Sequence, residues 1–473
     1  MKKINGKILL GLIVLASSAV HANDMLVKLA SPVSTQKTAR MMAMNGLKTE
    51  VLSDSWVRVQ GNIETTSFKG FMESGSVEYV QPNFKFRALE NPTLAKLKQN
   101  AQIQKYLLSL ETAAPAVKDN PEIPNAPTAT TGADPLYSKQ WGMNEIGTTA
   151  AWNINRGTNK VIVAVIDTGV DYTHEDLIPN MWRNPNEIAN NGIDDDNNGY
   201  IDDVIGWDFL SNDNKPYDLA AASMSDLLNG GNPGHGTHCA GNVAAAGING
   251  KGISGVAPNA QIMTLRFIGN EGGSTSDAIK AIKYAVDNGA KVLSNSWGSE
   301  GDDPEDAGNN KALKEIIQYA QDHDVLFIAA AGNGHSGVGY DNDSDAKPGV
   351  PASYDNDNII SVAAVDVNNK LGAFSNWGAK TVDIAAPGVK VFSTTVTGKY
   401  SDSVIPLLGA NWDGTSMACP HVAGAAALYW STHPEKTYAQ VKAAILNSAV
   451  RIPATEGKMT SNGKLNVENL MKY

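Results

Sequence analysis

Two cysteines in 473 residues are too few to build a disulfide scaffold, whatever compartment the chain occupies. Lysine and arginine number 38 against 49 aspartates and glutamates, and the cations are nowhere gathered into the basic clusters that neutralise phosphate, which excludes a nucleic-acid partner. The formal net charge of -11 favours solubility and cation binding instead. Beyond residue 22 no apolar run is long enough to form a transmembrane helix. There is no internal repeat, and the His-Glu-x-x-His pattern of zinc hydrolases is absent. The length suits one large domain with appendages.

At the start, Lys2, Lys3 and Lys7 precede an apolar stretch from Ile8 to Ala16, and Val20-His21-Ala22 supplies small residues for cleavage. Residues 1–22 are expected to be a secretory signal, with the remainder exported, soluble and free of the membrane. From residue 23 to 88, short apolar strands at Met25–Leu29, Trp56–Val59 and Val77–Val80 alternate with a helical pattern at Ser34–Met44, a small α+β unit. Asn91-Pro92 opens a second helical pattern that runs to Glu111. Residues 112–134, rich in Pro, Ala and Thr, have no period and are expected to be an extended linker.

After residue 135 strand and helix patterns alternate, which predicts a mainly parallel sheet with helices on both faces. Three motifs stand at the ends of these elements. Val161-Ile162-Val163-Ala164-Val165-Ile166-Asp167 is a buried-strand run that delivers an acid at its C-terminal end, where open α/β sheets place their chemistry. Gly234-His235-Gly236-Thr237-His238-Cys239 opens a small-residue helix with a histidine. Asp413-Gly414-Thr415-Ser416-Met417-Ala418-Cys419-Pro420-His421 opens another with a serine, inside the positive end of the helix dipole. A serine is a weak nucleophile unless a base takes its proton and an acid orients that base, so Asp167, His235 and Ser416 form a candidate triad.

The order Asp, His, Ser is that of subtilisin. With Ala329-Ala330-Ala331-Gly332-Asn333 added, the motifs closely resemble the subtilisin-like serine proteases from about Asp134 to the C-terminus. The resemblance implies a three-layer α/β fold, a ferredoxin-like propeptide over residues 23–88, and a maturation site within residues 89–134. The propeptide would serve as intramolecular inhibitor and the mature peptidase, residues 135–473, as a monomer acting on proteins and peptides. Asn333 would donate its side-chain amide to the oxyanion. Glu271-Gly272-Gly273-Ser274 and Leu293-Ser294-Asn295-Ser296-Trp297-Gly298 resemble the two edges that hold an extended substrate by β-augmentation. Small residues at Gly298, Ala330, Ala331, Gly332 and Gly349 imply a roomy apolar pocket before the cut, while the acidic residues 300–306 read as a solvated loop. A catalytically silent peptide-binding relative or a maturation protease of narrow specificity are the alternatives; the intact catalytic set argues against the silent one.

Residues 193–203 carry oxygen ligands at the spacing of an EF-hand-type calcium loop: Asp194, Asp196, Asn198, the Tyr200 carbonyl and Asp202, with Gly199 at the tight turn. Ile205 stands where the bidentate glutamate would be, so Asp203 or another segment must complete the shell. The family resemblance adds a second calcium set at Gln140, Asp176 and Asn249. His238 and His421 are expected to be structural. Cys239 and Cys419 are expected as buried thiols, with a disulfide between them left open.

Overall fold

The computed structural model describes residues 23–30, 35–44, 46–61, 70, 73–102, 105, 120–127, 131–221, 224–228, 231–299 and 310–473, apart from residues 103–104. The expected signal segment, most of residues 103–119 and the acidic residues 300–306 lie outside it. The chain divides into two compact units, Met1–Asn83 and Phe84–Tyr473.

In the first unit β1 (Asp24–Leu29), α1 (Thr35–Met44), β2 (Lys48–Val51), β3 (Trp56–Gln60) and β4 (Val77–Pro82) follow one another. The four strands form an antiparallel sheet in the order β2-β3-β1-β4. Alternation along β1 and β3 turns Val27, Leu29, Val57 and Val59 to one face, where Ala39 and Met42 of α1 close a small core. The unit ends at Asn83 rather than at residue 88. Lys85–Ala88, expected to close the first domain, is hydrogen-bonded as a strand within the second unit.

The second unit begins with that strand, β5 (Lys85–Ala88), and α2 (Pro92–Leu97). There follow β6 (Ile162–Asp167), β7 (Gly206–Asp208), α3 (His235–Ala244), β8 (Gln261–Arg266), β9 (Gly273–Ser274), α4 (Thr275–Asp287), β10 (Val292–Asn295) and β11 (Trp297–Gly298). The unit continues with α5 (Lys311–Asp322), β12 (Leu326–Ala330), β13 (Ile359–Val365), β14 (Ile384–Pro387), α6 (Thr415–Thr432), α7 (Tyr438–Asn447), β15 (Val450–Arg451) and β16 (Gly463–Lys464). Among the described residues nine strands make one sheet, ordered β15-β16-β14-β13-β12-β10-β6-β8-β7, and only the β15–β16 pair is antiparallel.

A strand buried on both faces reads as continuous apolar sequence, and β6 is such a strand: Val163, Ala164, Val165 and Ile166 are all fully buried. Val163 and Val165 share a core cluster with Cys239, Ala240 and Val243 of α3 and with Ala418, Val422 and Ala426 of α6. Glycine lets those two helices approach. A Cβ at Gly424 would stand 2.7 Å from Val256 Cβ and 2.9 Å from the Val243 carbonyl. The helix opened by Asn91-Pro92 runs over Pro92–Leu97; Ala101, Gln102 and Lys105 are helical again, and residues 106–111 of the expected helical pattern lie outside the described residues.

Candidate active site

The C-terminal ends of β6 and β10 and the N-termini of α3 and α6 converge on one place. Asp167, last residue of β6, is fully buried, and its Oδ1 accepts from the Thr168 amide at 2.8 Å and lies 2.7 Å from His235 Nδ1. Burial disfavours the charged imidazole, but the Asp167 carboxylate outweighs it and holds His235 well above its ordinary range. His235 Nε2 is buried with no hydrogen-bond partner.

The N-terminus of α3 is seated by residues that the sequence reading did not single out. Asn232 Oδ1 accepts from the amides of Gly234 and His235, both at 2.8 Å. Asp218, fully buried, accepts from Thr168 Oγ1 at 3.0 Å, from Thr237 N at 2.9 Å and from Thr237 Oγ1 at 2.5 Å, as well as from Asn232. One carboxylate thus ties the turn after Asp167 to the helix that carries His235. Burial pushes the Asp218 carboxyl up to about 6. Gly236 completes the seating, since a Cβ there would lie 2.1 Å from the Gly169 carbonyl.

Ser416 occupies the first turn of α6. Proline at 420 removes the amide that would bond the Ser416 carbonyl, and that freed oxygen accepts from Ser296 Oγ at 2.9 Å and Cys239 Sγ at 3.4 Å. Cys239 Sγ is also 3.9 Å from His235 Nδ1, so the thiol touches both the serine and the histidine segments. The Ser416 hydroxyl itself donates to the Ser296 carbonyl at 3.1 Å. Asn333 Oδ1 accepts from Thr415 N at 2.8 Å and Thr415 Oγ1 at 3.0 Å. Those bonds fix its amide nitrogen outward, where it donates to the Glu90 carbonyl at 3.0 Å.

That carbonyl belongs to the segment that follows β5. β5 is the middle strand of a three-stranded antiparallel sheet, between β9 and β11. Phe86 pairs with Gly273 and Lys85 with Ser274, Arg87 with Gly298 and Ala88 with Trp297. Gly272, at φ 82°, passes so near that a Cβ would meet the Phe86 carbonyl at 2.5 Å. The two segments expected to hold substrate thus pair here with the chain's own β5. Ala330 ends β12, Ala331 is buried behind it, the Gly332 amide donates to Thr415 Oγ1 at 3.1 Å, and Gly349 packs against the Ala331 carbonyl.

The other expectations fare unevenly. Cys239 and Cys419 are both buried free thiols, and burial pushes Cys419 up to about 12. His238 stacks on Trp412 at 4.2 Å with Nε2 3.1 Å from the Val391 carbonyl, and burial pushes it down to about 3. His421 Nδ1 lies 2.8 Å from the Met417 carbonyl.

In the acidic loop, carboxylate oxygens of Asp194, Asp196 and Glu187 lie within 4.8 Å of one another. Asp202 is not among them, a departure from the expected ligand set. At φ 55° it turns its carboxylate back onto the amides of Asn191 and Gly192, at 3.0 and 2.9 Å. Asn198 presents its amide nitrogen to Asp196 and Asp203, at 3.2 and 2.8 Å, and its Oδ1 accepts from Tyr200 N. The Tyr200 ring stacks edge-on with Trp207, Phe209 and Tyr284. Glu187 comes from the segment before the loop, which spacing within the loop could not reveal. Burial pushes the Glu187 and Asp203 carboxyls up.

The second expected calcium set is engaged with protein donors. Asp176 accepts from Asn249 Nδ2 and Ile253 N, Asn249 Oδ1 from Lys251 N, and Gln140 Oε1 from Ser254 N.

A family model described as Peptidase_S8, subtilase family, matches residues 158–471. The chain belongs to the subtilase family. Among its relatives, thermitase of Thermoactinomyces vulgaris is 35% identical over 342 residues, covering 72% of this chain and 99% of the relative. The thermophilic serine proteinase of Bacillus sp. strain AK1 is 34% identical, covering 77% of each chain. The crystal structure of fervidolysin from Fervidobacterium pennivorans superposes with a TM-score of 0.64 at 24% identity, covering 95% of this chain and 61% of that one. This subtilase has the subtilisin-like fold and is a serine-type endopeptidase. Among the described residues no helix is long and apolar enough to cross a membrane.

Proposed function

We propose that the protein is an exported serine endopeptidase, made as a zymogen that processes itself, in which Asp167, His235, Ser416 and Asn333 carry the chemistry. The observation that carries this reading is the Asn333 amide. Locked through Thr415 beside Ser416, it already holds the Glu90 carbonyl, two residues beyond the strand that pairs with β9 and β11. Ser416 Oγ, rotated from the Ser296 carbonyl, adds to a substrate carbonyl while His235 Nε2 takes its proton, and Asp167 keeps Nδ1 protonated and the ring in place. Asn333 and the Ser416 amide receive the oxyanion. His235 returns the proton to the leaving nitrogen, and water hydrolyses the acyl ester.

The N-terminal unit acts as intramolecular inhibitor, and the basic, apolar and small-residue sequence of Met1–Ala22 supports export. Breadth of substrate is supported by main-chain pairing at both cleft edges, which reads backbone rather than side chains. Calcium fits the acidic loop: Glu187 Oε2 is buried without a partner beside the Asp194 and Asp196 carboxylates, and three converging carboxylates call for a cation. The ion would hold Glu187, Asp194 and Asp196 together and supply stability, with no part in catalysis.

A fluorophosphonate serine probe tests the assignment. A single adduct on Ser416 of a processed chain, with Ser416→Ala remaining full length, is the expected result. A folded, processed chain that takes no adduct would leave only a silent peptide-binding relative.

A further inference from the structure

The segment around Glu90 is anchored on both sides. Before it, β5 is held by β9 and β11, and its side chains alternate: Phe86 is buried against Trp297, ring centroids 5.2 Å apart, and Leu89 is buried in the main core cluster beside Gly298, while Arg87 and Glu90 are exposed. The Leu89 amide reaches toward the Ser296 carbonyl at 3.5 Å, the same oxygen that accepts the Ser416 hydroxyl. After it, Asn91 caps α2 by accepting from Thr93 N and Leu94 N, and its amide donates to the Asn411 carbonyl at 2.6 Å. Leu94 of α2 packs on Ile405 and Ala410. Between the two anchors the Leu89 amide and the Ser416 hydroxyl meet at one oxygen, that of Ser296, and the Asn333 amide holds the Glu90 carbonyl.

We infer that Glu90 is where this chain makes its first self-cleavage, at one of the two peptide bonds that flank it. This rests on the proposed peptidase reading and narrows it from a 46-residue window, residues 89–134, to two bonds. Ser416 Oγ adds to the carbonyl carbon of Leu89 or Glu90, and the hydroxyl proton passes through His235 to the nitrogen of the following residue as the C–N bond breaks. Water then hydrolyses the ester, leaving a new carboxylate and a new amine. The anchors explain why the cut falls here. Main-chain pairing on one side and a capped helix on the other hold the intervening backbone across the nucleophile, the positioning that makes an intramolecular reaction fast.

The test is a time course of intact masses as the full chain, isolated unfolded, is refolded with calcium and fluorophosphonate is added to samples. The first N-terminal fragment is expected to end at Leu89 or Glu90, its complement beginning at Glu90 or Asn91. A first cut elsewhere, with Ser416 labelled, would overturn this inference and leave the peptidase reading standing. No cut and no label would remove both. As a second arm, Leu89→Asp places a charge in the buried position and is expected to slow conversion at least tenfold, while trace wild-type enzyme added in trans releases full activity. Conversion of that variant at the wild-type rate would count against Leu89 as the seat of the segment.

Discussion

Asn333 is tied to the backbone on one side of its amide and offers only hydrogens on the other, so its contribution should be electrostatic. Asn333→Ala is expected to lower kcat by about 10²–10³-fold with little change in KM, the scale known for such a donor in subtilisin. For His235 the sign of the pH effect follows from its environment. The base must be neutral to accept a proton, and Asp167 raises its pKa, so the enzyme stays protonated and inactive to a higher pH than a free imidazole would. The acid limb of kcat/KM should therefore have its midpoint above about 6.5, activity rising with pH through it. Asp167→Asn should move that midpoint down, since burial then acts on the ring without its main counterweight, while lowering kcat by about 10⁴-fold because the wrong tautomer is held.

The seating of α3 decides whether His235 meets Asp167 at all. Two substitutions outside the reacting groups probe it. Gly236→Ala drives a methyl into the Gly169 carbonyl, and the helix must lift away from the β6 turn. Loss of nearly all turnover is expected, with the chain still folded by circular dichroism. Asp218→Asn keeps the shape but exchanges acceptor oxygen for amide hydrogens opposite donors at Thr237 and Asn232. Urea unfolding should show a loss of about 1–3 kcal/mol, and kcat should fall while KM holds. Sequence spacing brought out His235 and Asp167 because each sits at an element end. It did not bring out Asp218 or Asn232, because they lie on irregular chain and meet α3 only through the fold.

At the scale of the molecule, an ion held by the acidic loop as proposed would couple stability to a site outside the catalytic centre. Raising free calcium from far below to 100 times its dissociation constant should stabilise the chain by about 2.7 kcal/mol, read as a rise in melting temperature of the Ser416→Ala form. Glu187→Gln should weaken that response; an unchanged response would remove Glu187 from the site. In the active enzyme, removing calcium with a chelator should quicken self-digestion, because locally opened chain is the substrate.

Fold class and strand and helix alternation were legible in the sequence, because buried parallel strands are continuous apolar runs; the four positions proposed to carry the chemistry were read from motifs at the ends of these strands and helices. The residues of the acidic loop were legible as a cluster, but which of them converge was not. Asp202 turns back onto the amides of Asn191 and Gly192 and Glu187 enters from an earlier segment, both consequences of local φ and of neighbours distant in spacing. Lys85–Ala88 is too short to announce itself, and its alternation of exposed and buried residues has meaning only between two edges from elsewhere in the chain. Local periodicity, then, determined the elements and their order. Only the tertiary structure decided which segment pairs with β9 and β11, because a peptide backbone carries no sequence signal for the strand it will pair with.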